Sequence, residues 1–332
     1  MRIAINGFGR IGRIFLRNIL NQENIDVIAI NDLTDTKTLA HLFKYDSVHR
    51  GFKGTVDFDE SHLIINGRAI KVLAKASPIN LPWKELDIDL VIESTGTFTS
   101  KQGAEQHLNA GAGQVIISAP ATDKSVPTVV LGVNDGQVDL RSPILSNASC
   151  TTNNVAAMVK ILDDNWGIID GYITTVHSMT GDQSLHDAPH KDLRRARAAS
   201  GSIIPTTTGA AKAITAIFPH LEGRLGGAGI RVPVLNGSLT DFTCSLKKQP
   251  TVEAINSAFK QAAEGAMKTV LEYTEDPIVS TDILGNTHSC IFDAQLTSIV
   301  GGLVKVVGWY DNEMGYSSRL ADLVALIAGE KL

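Results

Sequence analysis

Cysteine is scarce in this sequence, whose 332 residues include only Cys150, Cys244 and Cys290. The three cysteines are far apart, odd in number and form no Cys-x-x-Cys pair, which argues against a disulfide framework and a zinc site. No apolar run approaches the ~20 residues of a membrane-spanning helix, and the N-terminus lacks the basic start and long apolar core of a signal peptide. We therefore expect a cytoplasmic protein without a membrane partner or a bound metal.

An excess of positive charge is also lacking, because 30 Lys and Arg face 35 Asp and Glu, a net charge of −5. This balance gives no global field that would attract nucleic acid or an acidic membrane, so nucleic acid is not expected as the main partner. The hydrophobic share of 43% and the charged share of 20% are ordinary for a globular protein. The length predicts roughly two domains.

The first part of the chain has the pattern of a parallel sheet with helical crossovers. Residues 2–6 and 26–31 are apolar enough for strands buried on both faces, and residues 11–21 between them have helical spacing. Strand, helix and strand within about 30 residues form a βαβ unit. Further strands are predicted at 88–94, 115–118, 129–133 and 142–147. Residues 1–149 are therefore predicted to form an α/β domain, a Rossmann doubly wound parallel sheet.

The second part of the chain, residues 150–314, alternates differently. Strands of alternating polarity and longer connections predict an α+β catalytic domain on a mostly antiparallel sheet. The strands are predicted at 171–179, 229–234, 238–246 and 302–311, and the helices at 151–166, 209–218 and 251–272. An amphipathic stretch ends the chain, and we expect it to form a helix, residues 315–332, that packs back on the first domain.

A dinucleotide-binding fingerprint opens the chain, where Gly7, Gly9 and Gly12 fit the pattern G-x-G-x-x-G between a strand and a helix. Gly7 permits the tight turn, Gly9 the approach of a pyrophosphate, and Gly12 close helix–strand packing. Asp32, twenty positions later, is placed to bind the adenosine ribose and to repel a 2′-phosphate. The alternative is a glycine turn that caps a helix, but the full context favours NAD as cofactor.

Cys150 is the best candidate nucleophile, because the segment SNASCTTN (146–153) lies between a predicted strand and a predicted helix. A helix N-terminus stabilises a thiolate and is expected to depress the thiol pKa. Cys244 and Cys290, in strand-like runs, fit the alternative of a buried inert thiol better. His177 ends an apolar strand before a polar loop and is the best candidate base, although the residues alone leave this pairing open. Other histidines, His107 among them, are expected only to face solvent or to pack within the fold.

Several segments in order resemble the phosphorylating glyceraldehyde-3-phosphate dehydrogenases over nearly the whole length. They include SNASCTTN, TTVHS, HKDLRRARAAS, SIIPTTTGAAKA, RVPV and GWYDNEMGYS. The resemblance implies that Cys150 attacks the aldehyde of glyceraldehyde 3-phosphate and forms a thiohemiacetal. With His177 as the base and NAD as the hydride acceptor, a thioester follows, which inorganic phosphate cleaves to release 1,3-bisphosphoglycerate.

The resemblance also implies the binding residues. Thr180 and Arg231 would hold the phosphate of the substrate. The inorganic phosphate site would comprise Ser149, Thr151, Thr208 and Gly209, with Arg195 nearby, and further NAD contacts would come from Arg10, Ile11, Ser118, Asn312 and Tyr316. The loop 178–200, which carries Pro189, implies a homotetramer.

Two other functions stay open from the sequence. Erythrose-4-phosphate dehydrogenases share the nucleophile, but the TTTG run at 206–209 favours the three-carbon aldehyde and attack by phosphate. Arg194, Arg195 and Arg197 form a local basic run that would suit RNA or a host surface. Roughly six to ten phosphate contacts are usual for salt-sensitive nucleic-acid binding, so three arginines in an acidic chain favour the enzyme.

Overall fold

The computed structural model describes residues 1–329; Glu330, Lys331 and Leu332, the end of the predicted C-terminal helix, lie outside the described residues. The chain divides into two compact units. The first comprises residues 1–129, 137–148 and the C-terminal residues from Ser317, and the second comprises residues 130–136 and 149–316. No helix among the described residues is long and apolar enough to cross a membrane.

The first unit contains an eight-stranded sheet. Its strands are β1 (Arg2–Asn6), β2 (Asp26–Asn31), β3 (Val56–Phe58), β4 (His62–Ile65), β5 (Arg68–Leu73), β6 (Leu90–Glu93), β7 (Gln114–Ile117) and β8 (Ile144–Ser146), with helices α1 (Arg10–Ile19), α2 (Thr36–Lys44) and α3 (Lys101–Asn109). The strand order is β3-β4-β5-β2-β1-β6-β7-β8. All neighbours from β5 to β8 pair in parallel, whereas β3, β4 and β5 pair antiparallel. The predicted Rossmann-type parallel sheet is confirmed, and the antiparallel edge was not predicted.

Burial explains why these strands form a central sheet. Strand β6 is buried at every residue, and β1 is buried at all but its first. Helix α1 buries Ile14, Phe15, Leu16 and Ile19, and Ile11 is half-buried. The continuous apolar runs of the sequence thus specify the sheet, and the apolar residues of α1 recur at helical spacing.

The strand predicted at 129–133 is wrong. The segment is buried, but it forms a turn in which the Asn134 side chain accepts a 2.8 Å hydrogen bond from the Val130 N–H. Gly132 has a φ of +75°, in the left-handed region that an extended strand does not use. The apolar run therefore indicates that the segment is buried, but not that its backbone is an extended strand.

The second unit also contains an eight-stranded sheet. Its strands are β9 (Ile168–Ser178), β10 (Ile204–Thr206), β11 (Leu225–Val232), β12 (Ser238–Leu246), β13 (Leu271–Thr274), β14 (Cys290–Asp293), β15 (Ser298–Val300) and β16 (Leu303–Tyr310), with helices α4 (Cys150–Trp166), α5 (Ala210–Ile217) and α6 (Val252–Glu264). The order is β10-β11-β9-β12-β16-β14-β13, and β15 pairs with β16. All pairs are antiparallel except β11 with β9 and β13 with β14, which confirms a mostly antiparallel sheet.

The helices of the second unit follow the sequence pattern with two differences. Helix α6 ends at Glu264, so the predicted range of 251–272 is too long, and its last residues belong to the segment that enters β13. The last helix, α7 (Met314–Ile327), is buried on nearly all sides and not along one stripe. Its residues from Ser317 onward cluster with the first unit.

Candidate active site

The candidate nucleophile lies at the start of α4. Cys150 is the first residue of the helix, and Ser149 is its N-cap, whose Oγ accepts a 3.0 Å hydrogen bond from the Thr152 N–H. Ala148, just before the cap, has a φ of +56°. A left-handed conformation is costly for a residue with a side chain and is typical of functional turns. The turn therefore fixes the position at which the helix, and with it Cys150, begins.

His177 on β9 faces this cysteine, with its Nε2 atom 3.5 Å from the Sγ of Cys150. The other ring nitrogen, Nδ1, lies 2.8 Å from the Ser178 carbonyl oxygen, which can only accept a hydrogen bond. Nδ1 also lies 3.0 Å from the Arg231 Nη1, but the two hydrogens of that nitrogen go to the Ser178 carbonyl and the Thr180 hydroxyl. We therefore assign the ring proton to Nδ1, which leaves the lone pair of Nε2 facing the sulfur. The arrangement suits transfer of the thiol proton to the imidazole.

Burial determines the charge of this pair in the free protein. It raises the pKa of the Cys150 thiol, an effect that the nearby Arg231 guanidinium and hydrogen bonds with Thr151 oppose. Burial, followed by Arg231, lowers the pKa of His177 to about 4. The thiol pKa is thus raised and not lowered, contrary to what the helix end alone predicts. The two directions favour a neutral thiol beside a neutral imidazole in the free protein.

A cationic cluster lies beside His177. Arg231 on β11 pairs in register with His177 on β9, and its Nη1 donates 3.0 Å hydrogen bonds to the Ser178 carbonyl and the Thr180 hydroxyl. Thr180 donates to Asp182, which accepts a 2.8 Å bond from Arg195. Burial would raise the pKa of Asp182, but Thr180 and the two guanidinium groups outweigh it and lower that pKa. The cluster carries two cations and one anion, which suits a phosphate.

The residues expected at an inorganic phosphate site come from the start of α4, from the turn before α5 and from the loop that carries Arg195. Thr208 stands before α5 with its Oγ1 accepting a 3.2 Å bond from the Ala210 N–H, and Gly209 is the N-cap of that helix. Arg195 donates a 2.9 Å bond to the Thr206 hydroxyl, so it contacts the segment that carries Thr208. Helix α5 packs against α4, whose second residue is Thr151. The structure thus joins Arg195 to the threonine run directly.

Tyr310 is a site residue that the sequence reasoning missed. Its fully buried hydroxyl lies 2.9 Å from the hydroxyls of both Thr151 and Thr175, and its ring meets the His177 ring edge-on at 6.0 Å. Burial raises the phenol pKa, so the hydroxyl stays protonated and can donate one of these bonds. The side chain of Thr151 therefore points to Tyr310. The only sequence signal for Tyr310 was its place in the GWYDN run.

The glycine fingerprint has the geometry of a cradle within the first unit. Gly7 has a φ of +94°, and a Cβ there would lie 2.7 Å from the Ser94 carbonyl carbon. A Cβ on Gly12 would lie 2.4 Å from the Gly7 carbonyl oxygen, whereas one on Gly9 would meet nothing within 4 Å. Gly7 and Gly12 are thus required by the fold itself. The open space over Gly9 is the part of the cradle that a side chain would fill.

A cleft with about 910 Å³ of empty space lies next to this cradle. Its lining includes Gly7, Gly9, Asp32, Leu33 and Lys75. The Asp32 carboxylate accepts bonds from the N–H groups of Phe8, at 2.8 Å, and Thr34, at 3.0 Å. A glycine cradle, a helix N-terminus and an acid at the end of β2 fit the pyrophosphate and ribose of a dinucleotide.

The remaining residues expected to bind the cofactor are hydrogen-bonded or buried within the fold. The Arg10 guanidinium donates a 2.6 Å bond to Asp46, Ile11 is half-buried, and Ser118 donates its N–H to the Glu93 carbonyl at 2.9 Å. Tyr316 is buried at the start of α7. No group of three or more His, Cys, Asp or Glu that could hold a metal occurs within residues 1–329.

Asn312 is held in one orientation within the second unit. Its Oδ1 accepts hydrogen bonds from the hydroxyls of Ser178, at 2.9 Å, and Ser238, at 3.0 Å, and from the Gly237 N–H at 3.2 Å. Three donors identify the amide oxygen and leave Nδ2 as the atom that can donate to a ligand. The bond from Ser178, the residue that follows His177, places Asn312 next to the end of that histidine's strand.

Comparison with known proteins gives two family matches. The family described as glyceraldehyde 3-phosphate dehydrogenase, NAD binding domain, matches residues 1–101, and the one described as its C-terminal domain matches residues 149–312. The glyceraldehyde-3-phosphate dehydrogenase of Thermotoga maritima is 55% identical over 329 residues, covering 98% of each chain. That of Mycobacterium avium is 54% identical over 334 residues, and glyceraldehyde-3-phosphate dehydrogenase 2 of Streptomyces avermitilis is 50% identical over 333 residues. These cover 98% and 99% of each chain, respectively.

Proposed function

The chain belongs to the glyceraldehyde-3-phosphate dehydrogenase family, and we propose on that basis the reaction that its site performs. The protein is an NAD-dependent oxidoreductase of glycolysis. It oxidises D-glyceraldehyde 3-phosphate, with inorganic phosphate, to 1,3-bisphosphoglycerate. The observation that carries the proposal is the 3.5 Å approach of the His177 Nε2 to the Cys150 Sγ.

The reaction starts with the formation of a carbon–sulfur bond. The Cys150 sulfur attacks the aldehyde carbon while its proton passes to the Nε2 of His177, which holds a lone pair because Nδ1–H is bound to Ser178. The carbonyl oxygen gains negative charge and then takes a proton from the imidazolium, which gives a thiohemiacetal. The N–H of Cys150, one of the free donors at the start of α4, is placed to stabilise that oxygen.

Oxidation then needs a base and a hydride acceptor. Bound NAD supplies the acceptor for the hydride that leaves the substrate carbon. The Nε2 of His177 accepts the hydroxyl proton at the same time, so the carbon–oxygen double bond re-forms and a thioester on Cys150 results. An oxygen of inorganic phosphate attacks this thioester, the carbon–sulfur bond breaks, and the sulfur leaves as a thiolate that is reprotonated.

Two anion sites support these steps. Thr180 and Arg231 hold the phosphate of the substrate, since the hydroxyl and the guanidinium already lie within hydrogen-bonding distance of each other beside His177. The attacking phosphate is held by Ser149, Thr151, Thr208 and the N–H of Gly209, with Arg195 nearby. The support for this second site is the contact of Arg195 with Thr206 and with the Thr207 carbonyl.

The cofactor contacts and the domain roles complete the proposal. Residues 1–149 bind NAD, and the C-terminal residues from 315 onward, which include most of α7, belong with them; residues 150–314 carry the catalytic groups. NAD is held by Gly7, Gly9, Arg10, Ile11, Gly12, Asp32 and Ser118, with Asn312 and Tyr316 at the nicotinamide. The protein works as a cytoplasmic homotetramer, which the exposed Leu185 and Leu193 in the loop 178–200 favour.

The test is dehydrogenation of glyceraldehyde 3-phosphate and of erythrose 4-phosphate with NAD, each with and without inorganic phosphate. We expect turnover of the three-carbon aldehyde that depends on phosphate and is lost in Cys150→Ser. Cys244→Ala, which changes a buried cysteine far from the nucleophile, serves as the control and should keep the activity. Turnover that does not respond to phosphate, or preference for the four-carbon aldehyde, would refute the proposal.

Ion pairs formed by the arginines at 194–197 argue against a role in RNA binding. Arg195 lies 2.8 Å from Asp182, and Arg197 lies 3.0 Å from Asp187. Carboxylates thus already neutralise two of the three arginines that the sequence offered for phosphate contacts.

A further inference from the structure

A buried polar network lies under the dinucleotide cleft of the first unit. Its centre is the carboxylate of Glu93, the last residue of β6, which is 1% exposed. His107 on α3 and Trp83 lie beside it and are both fully buried. Neither the fingerprint nor the proposed reaction uses any of these three residues. Burial of a carboxylate is costly unless it is fully hydrogen-bonded, so the network needs an explanation.

Four donors converge on the Glu93 carboxylate. Oε2 accepts from the Asn6 amide at 2.6 Å and lies 3.1 Å from the Nε2 of His107, while Oε1 accepts from the Thr95 N–H at 2.9 Å and from the Thr95 hydroxyl. The Nε1–H of Trp83 donates to the Nδ1 of His107 at 2.9 Å. Since an indole can only donate, Nδ1 is an acceptor and Nε2 carries the proton that Glu93 accepts.

The network reaches the cleft through the two residues that donate to Glu93 from the cleft side. Asn6 and Thr95 both line the cleft. The Asn6 Oδ1 in turn accepts a 2.7 Å bond from the Asn31 amide, which clamps the backbone of Lys75 with bonds of 2.8 and 2.9 Å. Asn31 and Lys75 line the cleft as well. One chain of hydrogen bonds therefore runs from the indole of Trp83 to four residues of the cleft wall.

We propose that His107 is a positioning residue for the dinucleotide. His107 does not itself line the cleft, but its tautomer, fixed by Trp83, orients the Glu93 carboxylate, and that carboxylate orients Asn6 and Thr95. A site whose walls are held by satisfied buried partners loses less freedom when a ligand binds. The inference rests on the assignment of the cleft to NAD, and it adds a residue that the fingerprint does not contain.

The test measures the Kd for NAD by titration calorimetry in the unaltered protein and in two variants. His107→Leu removes the donor to Glu93 and should raise the Kd about tenfold, the effect of one lost charge-assisted hydrogen bond. His107→Gln offers an acceptor to Trp83 and a donor to Glu93, and it should restore most of the affinity. The KM for glyceraldehyde 3-phosphate at saturating NAD should stay within twofold in both.

A control separates positioning from loss of stability. Leu108→Ala, on the same helix, removes packing against the apolar core of the first unit, to which Trp83 also belongs, but takes away no hydrogen bond of the network; its Kd should stay within twofold. Trp83→Phe keeps an aromatic ring at this position but removes the N–H together with part of the indole volume, and it should raise the Kd about threefold even if His107→Leu does not fold. An unchanged Kd in Trp83→Phe, or an equal rise in Leu108→Ala, would overturn the inference. Failure of the unaltered protein to bind NAD would instead refute the cofactor assignment.

Discussion

The Nε2 of His177 lies 3.5 Å from the Sγ of Cys150, although 27 positions separate the two residues in the chain. Burial raises the thiol pKa and lowers that of the imidazole, which favours the neutral form of both groups in the free protein. Reactivity therefore comes from moving one proton across this contact when substrate arrives. A permanent thiolate is not required.

Replacing His177 by Asn should lower kcat by about 10²- to 10⁴-fold, the usual contribution of a positioned general base. Asparagine cannot take the thiol proton or the hydroxyl proton. Steady-state kinetics at saturating NAD and phosphate measure this change, and the KM for the aldehyde should move much less than kcat. His220→Gln, at a half-exposed histidine that pairs with Asp163, is the control. A loss of less than tenfold in His177→Asn would contradict the assignment.

Acid should destabilise the protein through His177. The folded-state pKa is lowered from 6.5 to about 4, so between these values the unfolded chain binds more protons than the folded one. Stability is therefore lost as the pH falls through this window, by roughly 3 kcal/mol in full. Urea denaturation at pH 7 and pH 4, at one protein concentration, measures the free energy of unfolding. The decline should be smaller by about this amount in His177→Gln, and an equal decline in both proteins would show that His177 is not the cause.

Arg231 should control selection of a phosphorylated substrate. Arg231→Gln keeps hydrogen-bonding capacity but removes the charge next to Thr180, so kcat/KM for glyceraldehyde 3-phosphate should fall about 10- to 100-fold relative to glyceraldehyde. The ratio of the two kcat/KM values is the measurement. Arg224→Gln, just before the same strand and paired with Asp170 at the surface, should leave the ratio unchanged. An unaltered ratio in Arg231→Gln would place the substrate phosphate elsewhere.

Two glycines of the fingerprint should respond differently to alanine. Gly7→Ala forces a Cβ to within 2.7 Å of the Ser94 backbone at a φ of +94° and should cost at least about 1–3 kcal/mol of stability. Gly9→Ala meets nothing within 4 Å, so the denaturation midpoint should hold while the Kd for NAD rises about tenfold or more. Denaturation and calorimetry on both variants check the contrast. Normal NAD affinity in Gly9→Ala would mean that no ligand approaches that backbone.

The parts of the fold that were predictable from sequence are those with a local cause. Strand β2 was predicted with its observed bounds, Asp26–Asn31, because its continuous apolar run is bounded by polar residues. The run at 129–133 is also strongly apolar but turns at Gly132, and hydrophobicity alone cannot distinguish a buried turn from a buried strand. The antiparallel edge formed by β3 and β4 was missed because these strands are short and partly exposed.

In the site, too, the features with a local cause were predictable and those that depend on distant residues were not. Cys150 could be found because the strand–turn–helix signal lies within eight residues. Its charge could not, since the pKa depends on burial by residues distant in the chain. Tyr310 and His107 were missed for the same reason, because each acts through partners such as Thr151 or Glu93 that only the folded chain brings near.

The burial of Cys244 and Cys290 has a practical consequence. Each lies in a strand, at 1% and 0% exposure, and burial raises the pKa of Cys244 to about 12. Cys150 is the only one of the three with appreciable solvent access. An excess of an alkylating reagent should therefore add a single mass increment per native chain, so that intact-mass spectrometry can count competent active sites in any preparation of the enzyme.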